Sequence, residues 1–246
     1  MKLEKVTRGR ERWYDDACGT AHALELVGER WSLLVVRELM FGARRFSELR
    51  RGLPGISANV LQQRLEGLEA AGVLGRRTLP PPANVQVYEL TPWGYEAEPA
   101  VQALGRWAAR SPGHDPTLPL SAASAMMSLR TMFAPERAGG VRMTAGFRFG
   151  AEEYRARVDG GRFAVARGEA AGADLLMEGA PEGVAALIYG GVPPSGLERA
   201  GLLRVEGDAG DLARFARLFP LPPKVEPVST RASGGGKGER SPEDPR

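Results

Sequence analysis

The chain of 246 residues has little of what redox, metal and membrane chemistry need. It holds one cysteine, Cys18, and two histidines, His22 and His114, which stand far apart. One cysteine excludes an internal disulfide, and a reducing, cytoplasmic setting is expected. Without clustered His and Cys, no metal site is expected. No run of roughly 18 apolar residues exists to span a membrane. The start, Met1-Lys2-Leu3-Glu4-Lys5, has no apolar stretch behind its charges, so no secretory leader is expected. A phosphate-cradling glycine loop and a dinucleotide fingerprint are both missing. Asp159-Gly160-Gly161 reads as a hairpin turn instead. With no Ser/His/Asp arrangement in view, no enzyme and no cofactor are expected.

What is present is a packed-core composition, 43% hydrophobic, and a modest net charge of +3. The charge is unevenly spread. Between residues 42 and 82, seven arginines face three glutamates, a local +4 that exceeds the charge of the whole chain. Inside that window lies the most explicit segment. Ser57 can cap a helix, Leu61, Leu65 and Leu68 repeat at i, i+4 and i+7, and Gly72 can stop it. Asn59, Gln62, Gln63 and Glu66 fall on the opposite face. Amides there can both donate to and accept from base edges.

Around that helix the pattern predicts a weakly amphipathic helix over 17–27, with Ala17, Ala21, Leu24 and Val27 on one face. A strongly apolar helix over 29–40 and a short helix over 48–51 capped by Ser47 follow. A strand over 73–79, a rigid tip at 80–84 and a returning strand over 85–91 make a hairpin. Thr91-Pro92 opens a helix running to about residue 110, expected to bury Trp93, Ala100, Val101, Leu104 and Trp107. Three helices, a hairpin and a helix are the winged helix-turn-helix arrangement. Residues 1–112 form this mainly α domain, and 113–120 read as a linker. Residues 121–222 read as a separate α+β domain with a helix over 122–133, strands over 143–149, 153–158, 162–166 and 174–177, a helix over 181–189, a strand over 202–206 and a final helix over 212–219. Residues 223–246 read as a disordered tail, and the first 16 as a loose arm.

The first ~110 residues resemble the HxlR family of bacterial transcription regulators. The resemblance rests on Cys18, on Gly28-Glu29-Arg30-Trp31, on Gly42-Ala43-Arg44-Arg45-Phe46 with Leu49, on Leu53-Pro54-Gly55-Ile56-Ser57 with Leu61, Arg64, Leu65 and Leu68, on Tyr88-Glu89-Leu90-Thr91-Pro92, and on Trp107. Gly19 departs from the proline often found after the cysteine. The resemblance implies a homodimer joined through 17–27 and 100–107, and a two-fold dimer predicts a palindromic operator. The second domain resembles the sterol carrier protein type of lipid-binding fold, through Ala173-Asp174-Leu175-Leu176-Met177, Ile188-Tyr189-Gly190-Gly191 and 201–208. That resemblance implies an apolar pocket and a small apolar ligand.

The expected function is a DNA-binding regulator, taken as a repressor. Ser57, Asn59, Gln62 and Gln63 are the candidate base contacts. Arg44, Arg45, Ser47, Arg64, Arg76 and Arg77 are the candidate phosphate contacts, which supply affinity and salt dependence rather than sequence reading. Cys18 is a candidate redox residue. Its alternative is a small buried residue in a core or dimer seam, with Asp15 and Asp16 nearby to raise its thiol pKa. A further alternative is a lipid-binding module whose winged helix serves protein interaction. Phe147, Phe149, Tyr154, Phe163, Leu187, Ile188, Tyr189, Leu197, Phe215 and Phe219 are either pocket lining or plain core.

Overall fold

The computed structural model describes residues 14–226. Residues 1–13 of the predicted arm and the tail beyond 226 lie outside the described residues. The first half contains α1 (Gly19–Val27), α2 (Ser32–Leu39), α3 (Phe46–Gly52), α4 (Ala58–Ala70), the antiparallel pair β1 (Leu74–Thr78) and β2 (Gln86–Leu90), then α5 (Pro92–Tyr95) and α6 (Glu98–Ala109). The leucine stripe of α4 is buried as its spacing requires. Two expectations are corrected here. The helix predicted from 29 begins only at Ser32, because Trp31 takes a left-handed conformation (φ 81°) and turns the chain. The helix predicted from 92 to 110 is two helices, and its apolar residues do not form core. Trp93 and Leu104 are half-exposed, Ala100 is exposed, and Trp107 is 73% exposed. Only Val101 among them is partly buried against the core.

The second half begins with α7 (Ala122–Met132) and continues through β3 (Met143–Phe149), β4 (Glu152–Asp159), β5 (Arg162–Arg167), β6 (Leu175–Gly179), α8 (Pro181–Ile188), α9 (Pro194–Arg199), β7 (Leu203–Gly207) and α10 (Ala209–Ala216). The α9 turn was not foreseen. The five strands run in the order β5-β4-β3-β6-β7, with β3 and β6 parallel and the other pairs antiparallel. The crossover from β5 to β6 passes over Gly146, where any Cβ would collide with the Ala170 carbonyl. Arg155 fastens the crossover by donating to the carbonyls of Glu169, Ala171 and Gly172. This is an α+β region distinct from the helical one.

The two regions nevertheless share one hydrophobic cluster. The helix α7 joins them: Ala122, Ala123, Ala125, Met126, Met127, Leu129 and Met132 bury almost its whole circumference. It packs on α2 and α6 on one side and on β5 and α8 on the other. A helix apolar all round belongs at the centre of a protein, so its sequence is satisfied only with both regions present. Residues 111–119 form an exposed loop. Past α10, the chain returns to the foot of α6. Arg110 donates to the Pro223 carbonyl, Lys224 to the Ser111 carbonyl, and the Val225 N–H to the Arg110 carbonyl. Residues 223–226 are therefore ordered against α6, where the sequence predicted a loose tail.

Candidate nucleic-acid interface

The α3–turn–α4 unit positions the residues singled out for base contact. Gly55 takes the positive φ (89°) that the tight turn demands, and Ile56 is buried as the turn closes. Ser57 then caps α4, its hydroxyl accepting the Val60 N–H at 3.2 Å. Its hydroxyl proton stays available to a partner. Asn59 and Gln63 are exposed on the outer face. Gln62 is half-buried and donates to Glu66 at 2.8 Å, so its amide is partly engaged. Among the described residues, no ion pair joins Arg45, Arg50 or Arg51, which stand exposed at the start and along the outside of α3. Arg50 and Arg51 were counted in the local charge but not singled out. Their position on the helix preceding the recognition helix, which crosses the DNA backbone in this motif, is the signal that could have found them. Ser47 is exposed beside Arg45.

On the wing, Arg76 pairs with Glu69 at 2.7 Å and Arg77 with Glu89 at 2.5 Å. Both guanidiniums are exposed. Ion pairs in that setting are weak and salt-screened, so phosphate can replace the carboxylates. The tip at 80–84 is exposed and carries no cationic side chain.

Two expected phosphate contacts are corrected. Arg44 is only 3% exposed and points inward. Its guanidinium meets Glu152 of β4 at 2.7 Å and Glu38 of α2 at 4.0 Å, and donates to the Tyr154 hydroxyl at 3.3 Å. It is committed inside the molecule and cannot reach a phosphate. Arg64 is mostly buried and pairs with Glu29 at 3.0 Å, fastening α4 to the turn before α2. That pairing engages its guanidinium within the protein.

Cys18 caps α1 and is exposed, not buried. Its thiol is held below its ordinary pKa first by the Thr20 N–H, then by the Thr20 hydroxyl and the Ala21 N–H of the opening turn of α1. The expected rise from the neighbouring aspartates does not occur; Asp16 is turned to accept the Cys18 N–H at 2.9 Å.

In the second region, Phe147, Phe149, Tyr154, Phe163, Phe215 and Phe219 pack against one another with centroids 4.9–6.5 Å apart. They fill the space between sheet and helices that an internal pocket would occupy. A cavity of about 860 Å³ opens elsewhere, as a groove between α6, α7 and the β5 edge. Gln102, Arg130, Phe133 and Phe163 are among its walls, so its lining is mixed rather than apolar.

Sequence comparison places this geometry among known proteins. The profile of the HxlR-like helix-turn-helix family matches residues 26–115. An uncharacterised HTH-type transcriptional regulator of Bacillus subtilis, YvaP, is 37% identical over 87 residues, covering 35% of this chain and 80% of its own. An uncharacterised HTH-type regulator of Escherichia coli, YtfH, is 38% identical over 95 residues, covering 38% of this chain and 75% of its own. Among solved structures, the reduced form of the B. subtilis transcriptional regulator YodB is 31% identical, covers 41% of this chain and 100% of that one, and has a TM-score of 0.36.

Proposed function

The chain belongs to the HxlR-like helix-turn-helix family of transcriptional regulators, and from that premise we propose that it reads a palindromic operator as a homodimer and represses the adjoining genes. The observation that carries this reading is the outer face of α4. Ser57, Asn59 and Gln63 stand in the open there, between the cations of α3 and those of the wing. Asn and Gln bind adenine through two bonds, worth about 1–3 kcal/mol of discrimination each. Arg45, Arg50, Arg51, Arg76 and Arg77 supply the phosphate attraction. The decisive measurement compares binding to a duplex from the region upstream of its own gene with binding to a scrambled duplex at moderate salt. Preference for the first supports the reading, and Asn59→Ala with Gln63→Ala should flatten that preference. Equal binding to both would sink it.

Ala100, Ala103, Leu104 and Trp107 make an exposed apolar stripe at i, i+3, i+4 and i+7 on α6, and Leu24 of α1 is exposed as well. A second copy is the partner we assign to it. Two recognition helices would then lie ~34–36 Å apart. Trp107→Glu should turn a dimer into a monomer in sedimentation, and an unchanged mass would remove the assignment.

Two modes of control attach to this reading. Cys18, exposed and with a lowered thiol pKa, suits oxidant sensing. A Cys18→Ser variant whose DNA binding stays fully peroxide-sensitive would eliminate it. The sterol-carrier-like ligand role moves from an internal pocket to the groove beside α6, which fits an amphipathic molecule better than a wholly apolar one. Native mass spectrometry of protein purified from cells tests this, and an empty chain throughout counts against it.

A further inference from the structure

Arg44 and Arg45 are neighbours in sequence and lie on opposite sides of the helix-turn-helix. The backbone of Arg44 joins the wing to that unit: its N–H donates to the Tyr88 carbonyl at 2.9 Å, and its carbonyl accepts the Tyr88 N–H at 2.8 Å. Two residues later α3 begins. The side chain of Arg44 runs the other way, into the seam between the two regions. Charge alternates along that seam. Arg37 pairs with Glu38 at 2.9 Å, Glu38 faces Arg44, Arg44 pairs with Glu152, and Glu152 pairs with Arg167 of β5 at 3.1 Å. The Tyr154 hydroxyl donates to Glu152 at 3.1 Å and accepts from Arg44 and Arg167. Glu38 also accepts a 2.6 Å bond from Ser121, the cap of α7. Its other oxygen is buried without a hydrogen-bond partner, next to Gly52 at the end of α3.

We propose that Glu152, with Tyr154, is a positioning residue for DNA reading: by holding Arg44 from the second region, it sets α3 and the wing relative to the recognition helix. The inference rests on the DNA-binding reading above and deepens it. The second region then belongs to the reading unit rather than hanging beside it. The anchoring is specific. Burial works against a charge on Glu152, but hydrogen bonding and attraction from Arg44, with help from Arg167 and Tyr154, outweigh it and hold the carboxyl below its ordinary pKa. Among the described residues, the next carboxylate to Arg44 after Glu152 is Glu38 at 4.0 Å.

The test uses the full chain and the variants Glu152→Ala and Glu152→Gln. Thermal unfolding identifies a temperature at which every variant is folded. There, affinity for the upstream duplex and for the scrambled duplex is measured, together with hydrogen exchange at the Tyr88 amide and along α3. We expect Glu152→Ala to lose at least about fivefold in affinity for the upstream duplex, the lower end of typical coupling between sites. Affinity for the scrambled duplex should fall much less, and exchange at Tyr88 should quicken. Glu152→Gln, which keeps an acceptor, should show the same pattern more weakly, and it carries the test if the alanine variant does not fold. A folded variant with affinity within twofold of the parent and unchanged exchange overturns the inference. If the parent itself shows no preference between duplexes, the DNA reading fails, and exchange at Tyr88 alone decides whether Glu152 holds this junction.

Discussion

Two groups of arginines in this molecule do opposite work. Those on the outer surface of α3 and the wing, Arg45, Arg50, Arg51, Arg76 and Arg77, keep their charge in water. Those of the seam have left it. Arg44 lies among Glu38, Glu152 and Tyr154, and Arg130 of α7 joins Glu98 of α6 to the Val165 carbonyl of β5 while its guanidinium covers the Phe41 ring at 4.3 Å. The lesson is that a guanidinium's role follows from what surrounds it. An exposed one is available to any anion that arrives. A buried one is already answered, and removing it strands its partners.

The largest expected effect breaks the comparison at its sharpest point. Arg44→Ala leaves Glu38 with Arg37 alone and Glu152 with Arg167 alone, and should cost up to about 3 kcal/mol in urea unfolding, the lower end for breaking a buried pair. Arg45→Ala should leave the unfolding midpoint in place while lowering DNA affinity and reducing the salt slope by about one. If the two variants behaved alike in either assay, the division between surface and seam would be wrong. A smaller effect is expected of Gly52→Ala. Its Cβ would collide with the Glu38 carboxylate, and overpacking of this kind costs about 1–3 kcal/mol. The neighbouring Arg51→Ala should be neutral to stability by the same assay.

The smallest effect is that of pH. The folded-state pKa of Glu152 is depressed, so its contribution is whole above the ordinary carboxylate value of about 4.3 and is lost as pH falls through the lower folded value. Arg44 and Tyr154, which face it, are both shifted upward and do not change charge in that range. The stability gap between the parent and Glu152→Gln should therefore be constant from neutral to mildly acidic pH and close only in stronger acid. A gap that closed near neutrality would point to a different group.

The α4 helix was legible because its determinants are local. A cap at Ser57, a leucine stripe and the turn at Gly72 all lie within one short segment, and the structure reproduces them. The wing was legible for the same reason. Arg44 was not, because Tyr154 stands 110 residues further along and nothing in the arginine itself announces that partner. Trp107 and Leu104 misled in the opposite sense. Apolar periodicity says that a face is to be covered, but not whether by its own chain or by another. The aromatic residues of the second region were left open between lining and core; their mutual contacts decide for core, except that Phe163 also faces the groove.

The return of residues 223–225 to Arg110 and Ser111 has a mechanical meaning. The second region begins and ends at nearly the same place, so it is a closed loop of chain tied at the foot of α6. A pull or a fusion applied beyond Glu226 loads that knot before it loads the sheet. The strain therefore arrives first at the helix whose outer stripe we assign to a second copy. Attachments at this end of the chain should accordingly disturb pairing of copies sooner than they disturb folding, whereas attachments within the 160–161 hairpin turn should disturb neither.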